Sequence, residues 1–417
     1  MTGVSSANPG APAPKRKAKV PRKHTVGRVI LTSSLVLALV TALGVVFLVR
    51  HLNGNITSFD MEEALGEDRP EEVYRGNGEP LDILVMGDDN RDCEGCDVVG
   101  DDESGGGSDT TILVHLSADR KRAYAVSIPR DSIVDRPACG DSPAATDVKW
   151  NAAYGVGGPL CTVAQVESTT DIRVEHFVVV DFNGFGDMVD AVDGVPVCVP
   201  EDIDDPKHGI FVPAGDPSVL SGDEALDYVR ARYVGEVIQQ NDISRIKRQQ
   251  TFIAALVRKV KSAGTLTRLD RVVGFLDAAT QSLTTDDGLG SVTRIGKIAM
   301  QLQNVGLENV KFVTAPTEYF PLDSEFKGSV FLTERADTMW QLLNEDKPLP
   351  KPLLGDAITA KPPASSNESE PDPGTEPPVP EPTTPSETPT ESEPATPSEE
   401  PTPSEEPTPD PVPGVCA

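Results

Sequence analysis

The sequence predicts a single three-layer α-β-α domain with a central mixed sheet, placed behind one membrane-spanning helix. Short β-branched runs alternate with helical patterns over residues 75–355, and such alternation is typical of a sheet that carries helices on both faces. An uncharged run of 21 residues, 29–49, precedes this region. A run of this length is sufficient to cross a bilayer as a helix.

The flanks of the apolar run predict how the chain is oriented. Residues 1–28 hold seven Lys or Arg and no acid. The positive-inside rule therefore predicts a cytoplasmic basic segment at 1–28, a transmembrane helix at 29–49, and an extracellular location for all that follows. The alternative is a cleaved signal peptide, whose core is usually about 7–15 residues and ends at a small-residue site. This run is longer and no A-x-A follows it, which favours a single-pass anchor in the cell membrane.

Composition separates the rest of the chain into three parts. Residues 356–417 consist mainly of Pro, Glu, Thr and Ser, with TPSEEP repeated at 396–401 and 402–407, which predicts a disordered acidic tail. Residues 50–74 are a linker, and residues 75–355 are the folded domain. The formal net charge of the chain is -29, which argues against a nucleic-acid-binding protein.

The strands and helices of the folded domain are predicted from local pattern. A capping box of Ser221 and Glu224 predicts a helix over 221–232, and apolar residues at helical spacing predict another that begins with Asp242 as its N-cap. A last helix is predicted near 333–346. The runs that predict buried strands are LDILVMG (81–87), TTILVHLS (110–117), AYAVSIP (123–129), HFVVVDF (176–182) and VKFVTAP (310–316).

Five of the six cysteines lie in the region expected outside the cell, where disulfides persist. Cys93 and Cys96 are compatible with a redox pair, half of a zinc site or a tight disulfide loop. No second CxxC and no nearby histidine completes a zinc site, so a structural disulfide is favoured. The spacing of Cys139, Cys161 and Cys198 leaves their pairing open.

Several enzyme classes lack their motifs in this sequence. There is no GxSxG for a serine hydrolase, and GGGSDT at 105–110 lacks the lysine of a P-loop. The acidic run from Asp88 has Cys93 and Val99 where a calcium-binding EF-hand requires Gly and Glu.

Acidic residues at strand ends predict a magnesium site. Asp89 follows the first predicted strand, and Asp109 precedes the second. The two carboxylates meet if these strands are antiparallel neighbours, although each acid taken singly is also typical of an ordinary loop. Mg²⁺ prefers a few carboxylates together with phosphate oxygens and water.

Arginines accompany these acids and are concentrated in the stretch 229–250. On the predicted helix, Arg245 and Gln249 border the apolar stripe, whereas Arg248 and Lys247 fall further round, and a solvated surface is the alternative for all four. Asp242 at the helix start is placed to orient an arginine. Arginine forks bind phosphate oxygens bidentately, so the stretch predicts a site for a phosphorylated ligand.

The order of several motifs behind a single anchor resembles the LytR–CpsA–Psr family of cell-wall ligases. The resemblance is close over roughly residues 80–260, and its motifs are MGDDNR, SDTT, SIPRD, KWNAAYGVGG, VRAR and DISRIKRQQ. It implies a phosphotransferase that takes a glycopolymer from a polyprenyl-pyrophosphate carrier and joins it to the 6-hydroxyl of muramic acid in peptidoglycan. Polyprenyl phosphate leaves, and Mg²⁺ is the implied cofactor. Ser244 stands where the family commonly has glycine.

The resemblance also implies a role for each candidate residue. Asp89 and Asp109 are implied metal ligands, and these two with Arg130 and Arg245 form the implied catalytic set. A pyrophosphatase with the same site, and a non-catalytic envelope protein that binds wall polymer, are the alternatives. The implied pyrophosphate partners are Arg91, Arg130, Arg230, Arg232, Arg245, Arg248 and Gln249.

Overall fold

The computed structural model describes residues 24–66, 69–71, 78–88, 108–206, 208–232, 234, 241–262, 267–355 and 357–361. Most of the predicted acidic tail, most of the predicted basic segment, and both Cys93 and Cys96 lie outside the described residues. The chain divides into two units, residues 1–51 and 52–417.

An apolar helix begins in the first unit. Helix α1 (His24–Asn55) contains the run 29–49 that the sequence predicts to cross a membrane. Its apolar side chains are exposed, by 70% at Leu31 and 73% at Phe47. Among the described residues it is the one helix long and apolar enough to span a bilayer. A bilayer would cover these side chains, so α1 is a candidate membrane anchor.

The second unit is built of strands alternating with helices. Its helices are α2 (Met61–Leu65), α3 (Ala152–Thr170), α4 (Phe182–Ala191), α5 (Gly222–Arg230), α6 (Asp242–Lys261), α7 (Leu269–Ser282), α8 (Val292–Gln303), α9 (Glu334–Asn344) and α10 (Lys351–Leu354). Its longer strands are β2 (Leu81–Asp88), β3 (Ser108–Leu116), β4 (Ala123–Ile128), β7 (His176–Asp181), β8 (Val195–Val199), β11 (Gly215–Leu220), β12 (Leu283–Asp286) and β13 (Val310–Thr314). Its shorter strands are β1 (Thr57–Phe59), β5 (Ile133–Arg136), β6 (Ala145–Lys149), β9 (Ile203–Asp205), β10 (Ile210–Val212), β14 (Thr317–Tyr319), β15 (Val330–Leu332) and β16 (Ile358–Thr359).

The largest sheet has eight strands in the order β1-β12-β7-β2-β3-β4-β13-β16. It is mixed, because β2 is parallel to β7 and antiparallel to β3, while β4 is antiparallel to β3 and parallel to β13. All five runs predicted as buried strands form its central strands. Every residue of β4 is buried, which explains why that run is almost continuously apolar.

Successive residues of the central strands face opposite layers. Leu113 in β3 packs in a cluster with Val163 of α3 and Met339 of α9. The preceding residue, Ile112, packs instead with Ala254 of α6. Side chains alternate between the two faces of a strand, so α3 and α9 cover one face and α6 covers the other. The three-layer mixed α/β fold predicted from the sequence is confirmed.

Local capping agrees with the sequence at one helix and differs at another. Ser221 and Glu224 form the predicted capping box at the start of α5. At α6 the predicted N-cap, Asp242, is wrong by one residue. Asn241 is the N-cap, and its side-chain oxygen accepts a hydrogen bond from the amide of Ser244 at 2.9 Å. Asn and Asp cap helices about equally well, and this choice leaves the Asp242 carboxylate available for other contacts.

One disulfide, between Cys139 and Cys161, ties the loop after β5 to α3. Its Cα atoms are 5.5 Å apart. A Cβ at Gly157 would lie 2.1 Å from the Cys161 sulfur, so this glycine makes room for the bridge within the kinked start of α3. Cys198 is also disulfide-bonded.

A buried histidine joins strands β2 and β3 to the residues that follow α9. His115 in β3 lies opposite Asp82 in β2, and its Nδ1 is 2.9 Å from the Asp82 carboxylate. Its Nε2 is 3.3 Å from Asp346, which follows α9. Burial alone would lower the pKa of His115, but the charges of the two carboxylates outweigh burial and raise it to about 9. The histidine is therefore charged at neutral pH.

We expect this histidine to give the protein a distinct pH dependence of stability. Because the folded pKa of about 9 lies above the ordinary value of 6.5, the contribution is complete below about pH 6.5 and is lost as the pH rises through 9. The shift corresponds to on the order of 3 kcal/mol. Urea unfolding of the full chain in detergent, followed by the fluorescence of the buried Trp150 and Trp340, should show this loss.

The variant His115→Asn should be less stable than the parent at pH 6, with a flattened dependence between pH 6.5 and 9.5. The matched control is His208→Asn, which removes a partly exposed histidine paired with Asp205. A parental slope retained in His115→Asn would contradict the assignment.

Candidate active site

The register of two central strands brings an acid and an arginine to one edge of the sheet. Asp109 is the second residue of β3, and Arg130 follows β4 by two residues. The strands are antiparallel, with Thr111 opposite Ile128. The start of one strand is therefore beside the end of the other, and Asp109 and Arg130 become neighbours.

The Asp109 carboxylate is surrounded by three guanidinium groups. Its Oδ1 accepts a hydrogen bond from Nη1 of Arg130 at 2.6 Å. Its Oδ2 is 3.1 Å from Nη1 of Arg245 and 3.2 Å from Nη2 of Arg232. Arg245 also donates to the backbone carbonyl of Asp109 at 3.0 Å. Arg245 comes from the first turns of α6 and Arg232 from the segment after α5, so four parts of the chain meet at this carboxylate.

The arginines keep Asp109 ionised. Burial of the carboxyl raises its pKa, but the charges of Arg245, Arg130 and Arg232 outweigh burial and lower the pKa to about 2. Asp109 is thus a permanent anion at any physiological pH, and it is a poor acceptor for a proton.

Asp242 lies between two of the same arginines. Its Oδ1 is 2.9 Å from Nη2 of Arg245 and 3.3 Å from Nε of Arg130. Its Oδ2 is buried and has no hydrogen-bond partner in the part of the chain that the structure describes. Asp242, on α6 and one residue beyond the cap, thus contacts both Arg130 and Arg245, and its orienting role stays a prediction.

The start of α6 is more deeply buried than its helical pattern suggests. Arg248 is fully buried, Lys247 is 5% exposed and Gln249 is 9% exposed, so the surface alternative does not hold for them. Arg248 donates through Nη2 to the carbonyl of Ala231, and Gln249 donates through Nε2 to the carbonyl of Val229 at 3.4 Å. Burial, together with the charge of Arg245, lowers the pKa of Arg248 to about 10. These two side chains fasten α6 to the end of α5 and so fix the arginine segment between them.

The other predicted site residues have different positions. The guanidinium of Arg230 lies over the ring of Phe182, 4.6 Å from its centroid. Asp89 and Arg91 lie outside the described residues. The sequence places Asp89 near Asp109 only if their strands are antiparallel neighbours. Strands β2 and β3 are such neighbours, and Asp88 at the end of β2 pairs with Ser108.

The motif KWNAAYGVGG at 149–158 contacts the strand ends that carry the site residues. Lys149 donates to the Asp131 carboxylate at 2.7 Å, and Asp131 is also 3.6 Å from Nε of Arg130. The indole of Trp150, which is 1% exposed, donates to Oγ1 of Thr111 at 3.2 Å. The motif thus holds the end of β4 and the start of β3 in place.

The same motif reaches a third strand through Tyr154. Its hydroxyl is hydrogen-bonded to Asp88, and burial, together with the charge of Asp88, raises the pKa of the phenol. Sequence reasoning missed Tyr154, Trp150 and Asp88 as parts of the site. The quoted KWNAAYGVGG motif was the available signal, but spacing alone does not show which strand each of its side chains contacts.

Among the described residues, the cluster carries more positive than negative charge. Arg130, Arg232 and Arg245, together with Lys149, face three carboxylates, those of Asp109, Asp131 and Asp242. The pKa of Arg232 is lowered, first by burial and then by the charges of Arg245 and Arg130, and the charges of Asp109 and Asp242 offset this only in part. Arg232 is also the most accessible of the three, with 44% of its side chain exposed. An anionic ligand would relieve this crowding, and phosphate oxygens suit three converging guanidinium groups.

Comparison with known proteins assigns the family. The sequence model of the LytR_cpsA_psr family matches residues 48–347. The chain belongs to this family. The match includes every residue of the cluster, so the arginines and aspartates described above lie within the family domain.

Relatives within the family are cell-wall proteins. The cell wall biosynthesis protein LcpA of Corynebacterium glutamicum is 32% identical over 284 residues, which cover 60% of this chain and 52% of the relative. The polyisoprenyl-teichoic acid–peptidoglycan teichoic acid transferase TagV of Bacillus subtilis is 32% identical over 251 residues, covering 59% of this chain and 60% of the relative. The matched region thus spans between half and three fifths of these curated relatives.

A solved structure from the LytR–CpsA–Psr family shares the fold. The LytR-Csp2A-Psr enzyme of Actinomyces oris superposes with a TM-score of 0.53 at 17% identity, over 70% of this chain and 96% of that one. At this identity the likeness concerns the fold alone.

The crowding of positive charge at Arg232 predicts opposite effects of Arg232→Gln on ligand affinity and on thermal stability. Loss of one charge-assisted contact should weaken binding of inorganic pyrophosphate by about tenfold or more. The melting temperature without ligand should be equal to or higher than that of the parent, because repulsion among the arginines falls. Titration calorimetry and thermal unfolding of the full chain in detergent measure the two effects.

The control for this experiment is Arg258→Gln, on the same helix α6 as Arg245. Arg258 is half-buried, and burial lowers its pKa. Equal loss of affinity in both variants, or none in Arg232→Gln, would show that the cluster does not bind the anion.

Proposed function

We propose that the chain is a membrane-anchored, extracellular phosphotransferase that attaches a glycopolymer to peptidoglycan. The donor is a glycopolymer linked through pyrophosphate to a polyprenyl carrier, and the acceptor is the 6-hydroxyl of muramic acid. Polyprenyl phosphate is released and a phosphodiester is formed. The transferase name of the TagV relative supports this class of reaction.

The observation that carries the proposal is the excess of guanidinium groups at the Asp109 cluster. Among the described residues the cations outnumber the carboxylates, and the most accessible arginine, Arg232, has a pKa lowered by burial and then by its like-charged neighbours. A pyrophosphate brings negative charge and further acceptor oxygens to a site with an excess of positive charge. Because the arginines are held in place before the ligand arrives, little reorganisation is needed.

The chemistry that these residues perform is chiefly electrostatic. The acceptor oxygen bonds to the phosphorus that bears the glycopolymer, and the bond from that phosphorus to the bridging oxygen breaks. The electron pair leaves on polyprenyl phosphate, and the hydroxyl proton passes to a base. Arg130, Arg232 and Arg245 are placed to stabilise the charge that spreads over the phosphoryl oxygens during this transfer.

The low pKa of Asp109 assigns it an electrostatic role. A carboxylate with a pKa of about 2, bonded on both oxygens, does not take up the hydroxyl proton near neutral pH. In the free protein its negative charge offsets the repulsion among the three arginines. When phosphate oxygens replace it as the partner of the arginines, its own oxygens become available to a cation.

Magnesium fits this set of residues. Asp109 supplies an ionised carboxylate, and the Oδ2 of Asp242, which has no hydrogen-bond partner among the described residues, offers a further buried lone pair nearby. The predicted second ligand, Asp89, lies outside the described residues. Mg²⁺ is commonly held by one or two carboxylates together with the substrate's phosphates. When bound, Mg²⁺ would neutralise charge on the pyrophosphate.

The location follows from the anchor. Helix α1 is the candidate span, and the basic residues that precede it favour a cytoplasmic N-terminus. The polyprenyl carrier and the peptidoglycan acceptor are then on the same side of the membrane as the domain.

A direct test uses the full chain in detergent with a synthetic polyprenyl-pyrophosphate disaccharide, Mg²⁺ and uncrosslinked peptidoglycan oligomers. Mass spectrometry should detect the disaccharide phosphate on muramic acid. Arg245→Gln should lower the rate by about 100-fold or more, as expected when a preorganised cation is lost. Arg258→Gln should retain the parental rate.

Two results would contradict the proposal. Free disaccharide phosphate without a conjugate would identify a pyrophosphatase. No turnover of a donor that a known ligase accepts would identify a binding protein.

A further inference from the structure

A hairpin beside the arginine cluster presents an aromatic residue that the mechanism above does not use. Strands β14 and β15 pair antiparallel, with Tyr319 opposite Val330. The amide of Val330 donates to the carbonyl of Asp131 at 3.1 Å, and Ser132 forms a parallel bridge with Val330. Tyr319 is therefore one strand away from the segment that carries Arg130 and Asp131.

The loop of this hairpin is internally packed. The ring of Phe320 is 5.1 Å from those of both Phe326 and Phe331, measured between centroids. The amide of Phe320 donates to the carbonyl of Ser329 at 3.1 Å, and that of Ser329 donates to the carbonyl of Phe326 at 2.9 Å. Aromatic packing and backbone hydrogen bonds hold the loop in one shape. The position of Tyr319 at its base is correspondingly fixed.

Tyr319 combines exposure with proximity to the site. It is 53% exposed, whereas Arg245 is 2% exposed. Partial burial of Tyr319 raises the pKa of its phenol, and the charges of Asp242 and Asp131 raise that pKa further. The hydroxyl is thus protonated at neutral pH and lies within the electrostatic influence of the acidic members of the cluster. An exposed ring with a polar tip at the rim of a buried site is suited to a ligand that arrives from solvent.

We infer that Tyr319 binds the sugar ring that carries the attacking hydroxyl, and so forms part of the acceptor subsite. This inference rests on the proposed ligase function. The pyrophosphate binds the arginines inside the site. A polymeric acceptor, which is too large to enter, contacts the exposed rim where Tyr319 lies.

The charge of the hairpin favours an acceptor glycan over an anionic donor polymer. Its exposed charged side chains are three acids and one lysine: Glu318, Asp323, Glu325 and Lys327. Carboxylates repel anionic polymer, but they accept hydrogen bonds from sugar hydroxyls. The ring of Tyr319 offers an apolar face to the C–H groups of a sugar, and its hydroxyl orients that sugar beside Asp131.

Steady-state kinetics of the full chain in detergent separate the acceptor from the donor. In Tyr319→Ala the KM for peptidoglycan oligomers should rise about tenfold, since loss of a stacking residue is worth about 1.4 kcal/mol. The rate at saturating acceptor and the affinity for the pyrophosphate donor should stay within about twofold. Tyr319→Phe, which keeps the ring, should raise the KM by about threefold, in line with one hydrogen bond.

Phe211→Ala is the matched control, because Phe211 is equally exposed, at 53%, on the separate hairpin of β9 and β10. The inference is overturned if Tyr319→Ala leaves the KM for the acceptor unchanged, if Phe211→Ala raises it equally, or if the donor affinity falls instead.

A binding measurement separates failure of this inference from failure of the ligase function. In protein labelled with 3-fluorotyrosine, the fluorine signal missing from Tyr319→Phe identifies Tyr319. A shift of that signal on addition of peptidoglycan oligomers supports the subsite even if no conjugate forms. Absence of a shift overturns it.

Discussion

The candidate site depends on one carboxylate that balances three guanidinium groups. Without Asp109, the charges of Arg130, Arg232 and Arg245 would meet at the edge of the sheet, offset among the described residues by Asp242 and by Asp131 beside Arg130. Buried like charges are expensive, so the protein can keep such a cluster only if an anion is built into it. The carboxylates of the described residues offset this charge only in part and leave an excess of positive charge. The same constraint thus explains why the cluster should favour a pyrophosphate.

The rest of the domain fixes where those groups stand. The antiparallel register of β2, β3 and β4 brings two strand ends and one strand start to the same edge. The motif of Lys149, Trp150 and Tyr154, which runs from the end of β6 into α3, then ties these three strands together. Arg248 and Gln249 fasten α6 to the end of α5, and Asn241 caps α6 so that Asp242 turns to the arginines. Each contact is modest alone, but together they preorganise the cluster.

Much of this could be predicted from local pattern, and the remainder depends on partners far along the chain. The central strands were predictable because a buried strand needs a β-branched run, and the capping box at Ser221 because its two residues are three apart. The cap of α6 was misassigned because Asn241 and Asp242 are equal candidates until the arginines select one. A helical wheel could not show that Arg248 is buried, since α5 covers that side. The contact of Tyr154 with Asp88 and the proximity of Tyr319 to the cluster follow only from how the strands pair.

The central claim is that the Asp109 cluster holds the pyrophosphate of the donor. A crystal structure of the chain soaked with a short-chain polyprenyl pyrophosphate and Mg²⁺ tests it most directly. We expect phosphate oxygens within about 3 Å of guanidinium nitrogens of Arg130, Arg232 and Arg245, with Asp109 released from at least one of them. A pyrophosphate bound elsewhere, with all three arginines still on Asp109, would contradict it.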